Sequence, residues 1–119
     1  MTVIGPRQAD IISEKELLAT VLELADAYGW MCFHIFETRR HARVSSKGFP
    51  DLVLGRRINQ EVDIIVAELK SESGSLSPEQ RAWRDIWQLV SGVPGSALQY
   101  YLWRPSDLLD GTIERVLAS

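Results

Sequence analysis

The chain has 119 residues, 45% of them hydrophobic and 24% charged, with a formal net charge of −3. That suffices for one hydrophobic core and gives no globally basic surface to announce a polyanionic partner. The lone Cys32 excludes an intramolecular disulfide and argues against a cysteine-based zinc site. With no apolar run of about 18 residues and no signal-peptide pattern at the start, the expectation is a cytoplasmic protein with no membrane partner.

Residues 1–12, with Gly5 and Pro6, read as an irregular lead-in, and 13–119 as a single domain. Ser13-Glu14-Lys15-Glu16 has the S-x-x-E form of a capping box, with Ser13 as N-cap. The helix it opens should run to about Tyr28 and stop at Gly29. Leu17, Leu18, Val21, Leu22, Leu24, Ala25 and Tyr28 form its apolar stripe. Glu14 projects near the centre of that stripe and Glu16 away from it. A charge aimed at the interior needs a partner, so Glu14 calls for an explanation.

Trp30 to Phe36 reads as an aromatic-rich strand. Arg39, Arg40, His41, Arg43 and Lys47 follow as a basic segment without an acid among them. Phe49 to Leu54 is the next strand, with Pro50 tolerable only at its start or edge. Arg56 to Glu61 is expected to turn, and Val62 to Lys70 forms a third strand. Its apolar run from Ile64 to Ala67 suggests a central strand covered on both faces. Ser77-Pro78-Glu79-Gln80 opens a second helix, with Ser77 as N-cap, Pro78 at N1 and Gln80 at N3. Ala97 to Trp103 is a fourth strand, and Pro105-Ser106-Asp107 starts a closing helix, irregular near Gly111. The helix between the third and fourth strands favours a right-handed crossover into parallel pairing. The predicted fold is α/β, a mixed four-stranded sheet flanked by helices in the order αβββαβ plus a C-terminal helix.

Sixteen residues separate Asp51 from Glu68, enough for most of a hairpin. Strand alternation turns Glu68 and Lys70 to the same side and Leu69 to the other. With Asp51 at the start of the partner strand, two carboxylates and an ammonium converge. Such a set can hold a hard divalent cation and place a water against a phosphodiester.

The Pro50-Asp51…Glu68-Leu69-Lys70 pattern resembles the PD-(D/E)xK nuclease superfamily. Ser13-Glu14, Gly29-Trp30, Lys47-Gly48-Phe49-Pro50-Asp51-Leu52, Leu76-Ser77-Pro78-Glu79-Gln80 and Trp103-Arg104-Pro105-Ser106-Asp107 extend the likeness to the small stand-alone VRR-NUC (virus-type replication-repair nuclease) domains. These are related to Holliday-junction resolvases and are common in phage genomes. The resemblance implies a restriction-endonuclease-like core and a Mg²⁺- or Mn²⁺-dependent deoxyribonuclease of replication, recombination or repair. Its preferred partner would be branched or structured DNA, met by a homodimer.

Residue by residue, it makes Asp51 and Glu68 metal-binding acids and the Leu69 carbonyl a further ligand. Lys70 orients or deprotonates the attacking water, Glu14 closes the site, and Gln80 binds a carboxylate or a metal-bound water. Arg39, Arg40, His41, Arg43 and Lys47 would contact the DNA backbone, with Arg56 and Arg57 weaker candidates. Two roles stay open for Gln80, since completing the Ser77 capping box would also explain it. Two other readings of the whole compete: a catalytically silent binding subunit of the same fold, and a sequence-specific restriction-type nuclease.

Overall fold

A computed structural model describes residues 7–34 and 47–119. Arg7 caps a single helical turn, α1 (Gln8–Ile11), inside the stretch expected to be irregular. Helix α2 (Glu14–Ala27) begins where the capping signal placed it, with Ser13 Oγ accepting the Glu16 N–H at 3.1 Å. It ends at Tyr28, followed by Gly29 at φ +83°. Strand β1 (Met31–His34) pairs antiparallel with β2 (Leu52–Ile58), and β2 with β3 (Glu61–Leu69). The long crossover helix α3 (Pro78–Ser91) returns the chain to β4 (Leu98–Trp103), parallel to β3. Helices α4 (Pro105–Leu109) and α5 (Thr112–Ala118) close the chain, divided at Gly111, φ +84°.

Among the described residues the sheet order is β1-β2-β3-β4, the predicted mixed sheet with its antiparallel meander and one parallel crossover. The expected turn over Arg56 to Glu61 is shorter than its polar composition suggested. Ile58 pairs with Glu61, leaving only Asn59 and Gln60 at the bend. Asn59 takes φ +57°, a left-handed conformation that asparagine tolerates better than most residues. The arginines before it therefore belong to the strand.

The core lies on one face. Leu17, Val21 and Ala25 of α2 meet Leu52, Leu54, Ile65, Ala67, Leu69 and Trp103 of the sheet and Ile113 and Leu117 of α5. Fully burying each large aliphatic is worth roughly 1.5–3 kcal/mol, so this layer supplies most of the apolar stabilisation. The other face is covered by α3, and no residue of α3 is fully buried. Val66 and Glu68 of β3 are nevertheless buried on that side, as the expectation for a central strand requires. Among the described residues no helix is long and apolar enough to cross a membrane.

Arg56 is fastened into the core side of the sheet rather than offered to a ligand. Its guanidinium lies 4.2 Å above the Trp30 ring, and it donates to the carbonyls of Leu117 and Ser119 and to Asp63. Trp30 Nε1 donates to the same Leu117 carbonyl at 2.9 Å. One arginine and one tryptophan thus pin the end of α5 to β2. Arg56→Met should lower the unfolding free energy by about 2–3 kcal/mol in urea titrations, from the lost charged hydrogen bonds and ring contact. The salt dependence of any nucleic-acid binding should stay as in the wild type.

Candidate active site

Asp51 stands one residue before β2, and Glu68 and Leu69 end β3. Carrying the Leu52–Ala67 register onward sets Asp51 opposite Glu68 and Pro50 opposite Leu69. Even-numbered residues of β3 bond towards β4: the Ile64 N–H donates to Ala97, and Lys70, just past the strand, donates to Trp103 at 3.1 Å. Odd-numbered residues therefore turn both N–H and C=O towards β2. The Leu69 N–H meets Asp51 Oδ2 there, at 2.8 Å. Its C=O faces Pro50, which has no N–H to return. A backbone acceptor without its ladder donor is thus set beside two carboxylates, and the proline is part of the reason.

Helix α3 fixes both sides of this pair through its first turns. The Ser77 N–H donates to Gln80 Oε1 at 2.8 Å while Ser77 Oγ accepts the Gln80 N–H at 3.1 Å. The remaining amide group of the same side chain, Nε2, donates to Glu68 Oε1 at 2.9 Å. The two roles open to Gln80 are therefore both filled by one residue. The segment before Asp51 rests on the same helix. Gly48, at φ +78°, lies so close that a Cβ would meet Glu79 and Gln80 backbone atoms at 2.6–2.7 Å. Phe49 packs edge-on against Trp83 and Trp87, with centroids 5.0 and 6.0 Å apart, and Lys47 pairs with Glu79 at 3.5 Å.

Glu68 is 2% exposed. Burial, then the Asp51 charge and a hydrogen bond with Asp51, push its pKa up to about 9, with Lys70 pulling the other way and Glu14 adding to the rise. A second negative charge beside Asp51 at a buried position is costly, and Glu68 therefore holds its proton to higher pH than an exposed glutamate. A cation would remove that constraint. Two carboxylates and a carbonyl are hard oxygen donors, suited to a small divalent ion that keeps part of its water shell. Among the described residues no group of three or more His, Cys, Asp or Glu side chains forms a ready cage. Any cation here would rely on these three donors and on water.

Glu14 differs from its expected placement. It does share the helix stripe of Leu17, Leu18 and Val21, but at N1 that stripe has run past the packed face, and the side chain is exposed. It lines a cleft of about 150 Å³ with Lys15, Leu18, Asp51 and Leu69. Arg39, Arg40, His41 and Arg43 lie outside the described residues.

Sequence reasoning passed over Tyr100 and Arg84. Tyr100 lies on the sheet face of Glu68, two residues before Leu102, the register partner of Glu68. Burial, then the Glu68 charge, push its phenol up to about 12, Arg84 pulling it down and Asp51 adding to the rise. Strand alternation in β4 was the available signal for Tyr100. For Arg84 it was the four-residue spacing from Gln80.

A family model described as VRR-NUC domain matches residues 12–90. No curated protein and no solved structure matches the chain.

The raised Glu68 pKa fixes the sign of a pH effect. Its proton is held in the folded state up to about pH 9 and in the unfolded chain only to about 4.5. The stability this contributes is complete below the lower value and is lost as pH rises towards the upper one. In chelator, thermal stability should therefore fall between about pH 5 and 9, and Glu68→Gln should flatten that slope. Added Mn²⁺ should restore stability most at the alkaline end, and calorimetry in buffers of different ionisation enthalpy should register proton release.

Proposed function

The chain belongs to the VRR-NUC domain family, a family of nucleases, and from that premise we propose that it hydrolyses DNA phosphodiester bonds as a divalent-metal-dependent endonuclease acting on branched or structured DNA. The observation that carries this reading is the Asp51–Glu68 pair, beside a Leu69 carbonyl whose ladder position is occupied by Pro50. The resemblance to junction-resolving domains supports the preference for branched substrates.

Asp51, Glu68 and the Leu69 carbonyl would hold Mg²⁺ or Mn²⁺. Such an ion acidifies a bound water and neutralises charge gathering on the phosphate. Gln80 keeps Glu68 in place by donating to one oxygen, leaving the other for Asp51 or a cation. Lys70, on the side of Glu68 by strand alternation, presents its ammonium to the phosphate and to the attacking water. Tyr100 closes the β4 side of Glu68 and restricts bulk water there. Glu14 shares the cleft with Asp51, where it can accept from a water or a sugar hydroxyl.

Lys15 extends the reading to the substrate strand. It is exposed and lines the cleft that reaches Asp51. A strand crossing the end of the sheet would meet Lys15 on one side of the scissile phosphate and Lys70 on the other. Lys47 and the Arg39, Arg40, His41 and Arg43 set would hold more distant phosphates.

The deciding experiment incubates the protein with linear, flap and four-way DNAs in Mg²⁺ and in Mn²⁺. Cleavage is expected, strongest on the branched forms. Asp51→Asn and Glu68→Gln should each lower the rate by about 10²-fold or more, as expected for disrupting a preorganised charged site. Cleavage at wild-type rate by Asp51→Asn would overturn the site, and binding with no cleavage of any DNA would favour the catalytically silent reading. A discrete set of cuts in random duplex would favour a restriction-type enzyme.

Lys15→Ala should raise KM with kcat retained and flatten the plot of log affinity against log salt by about one unit, the mark of one lost phosphate contact. An unchanged slope would remove Lys15 from the strand path.

A further inference from the structure

The first part of the loop that follows Lys70 is tied to the end of β4 and the residues just after it. Arg104 Nη1 donates to the carbonyls of Ser71 at 2.8 Å, Glu72 at 3.3 Å and Gly74 at 2.6 Å. The Ser106 N–H donates back to Glu72 Oε1 at 3.0 Å, and the Lys70 N–H to the Trp103 carbonyl at 3.1 Å. Residues 70–74 are thereby stitched to 103–106 from both directions. Gly74 closes the loop against its own start: a Cβ there would lie 2.8 Å from Ser71 Oγ and 3.6 Å from Lys70 Cδ. The stem of Lys70 thus lies along the loop that the guanidinium holds.

A strand end followed by a polar loop containing Ser71, Ser73, Gly74 and Ser75 has no intrinsic reason to keep one conformation. Three carbonyls converging on one guanidinium give it one. Charge-assisted bonds to a planar donor are stronger and more directional than neutral ones. Arg104 also lies beyond the segment that the family model matches.

We propose that Arg104 is a positioning residue for Lys70: it fixes the Ser71–Gly74 backbone on which the lysine stem rests, and so aims the ammonium along the Glu68 side of the sheet. The inference rests on the nuclease reading for its catalytic consequence, but not for its structural one. Asp51 and Glu68 are held independently, by the Leu69 N–H and by Gln80. Loss of Arg104 therefore acts on turnover through Lys70 while leaving cation binding in place.

The test is a double-mutant cycle. In the wild-type background Arg104→Gln lowers kcat about 10-fold or more, the scale expected when a catalytic group is displaced by a fraction of an ångström. Mn²⁺ affinity measured by calorimetry changes less than about twofold, and in the Lys70→Ala background the Arg104 effect disappears. An equal loss in both backgrounds, or a loss confined to KM, overturns the proposal.

A second measurement needs no nuclease activity. The acylation rate of the Lys70 amine, followed by peptide mass spectrometry without DNA, shifts about threefold or more in Arg104→Gln while Lys15 and Lys47 do not, since only Lys70 rests on the held loop. An unchanged Lys70 rate overturns the proposal. If the wild type cuts no DNA, the nuclease reading fails and the labelling still decides the role of Arg104. Should Arg104→Gln not fold, Arg104→Lys keeps the charge on a shorter side chain whose ammonium does not reach the Nη1 position, and the same readouts apply.

Discussion

A carboxyl group buried at the end of a central strand, beside a second carboxyl, is the constraint to which the rest of this structure answers. Glu68 is 2% exposed and faces Asp51 across the β2–β3 hairpin. Left ionised and unpaired, such a group would cost several kcal/mol. The protein meets that cost with a donated amide from Gln80, a proton retained on Glu68, and Lys70 on the same side. Asp51 is spared part of it because the Leu69 N–H, which a regular ladder would give to a carbonyl, is given to its carboxylate instead. Polar groups set against one another in this way are poor choices for stability alone. They make sense where a cation completes the set.

Much of this was legible in the amino-acid order, for reasons that are local. Ser77-Pro78-Glu79-Gln80 is a capping sequence whatever surrounds it, and it caps. Alternation sends Glu68 and Lys70 to one side in any strand. The run from Ile64 to Ala67 demanded cover on both faces, and β3 lies inside the sheet. Whether Gln80 served the helix or the acid could not be decided from spacing, because both roles ask for the same residue at the same place. Only the approach of α3 to β3 shows that one side chain serves both.

What stayed hidden depends on where elements stop and what lies beyond them. Glu14 has the helical phase of a core residue, yet at the first position of its helix it is exposed and meets a cleft. Phase says which way a residue points and nothing about whether another layer is there. Arg56 looked like a loop cation because charges usually mark turns. A two-residue bend at Asn59 and Gln60 carried it into the strand and onto Trp30. Arg104 touches residues thirty or more positions away, and no pattern of composition predicts three carbonyls gathered at one guanidinium.

The two faces of the sheet divide stability from chemistry. Helices α2 and α5 bury their stripes against the sheet and supply the core. Helix α3 buries none of its residues fully, and Leu89 remains 77% exposed. Its worth to the molecule therefore lies at its beginning. There it accepts Gly48 against its backbone, pairs Glu79 with Lys47, and sends Gln80 to Glu68, while Trp83 and Trp87 farther along seat Phe49. The segment that delivers Asp51 and the residue that holds Glu68 are thus registered on one rigid turn. A displacement of that turn would move both acids' supports together and preserve their relation. Supports carried on separate loops would drift independently, and the distance between the two carboxylates, on which any cation site here depends, would drift with them.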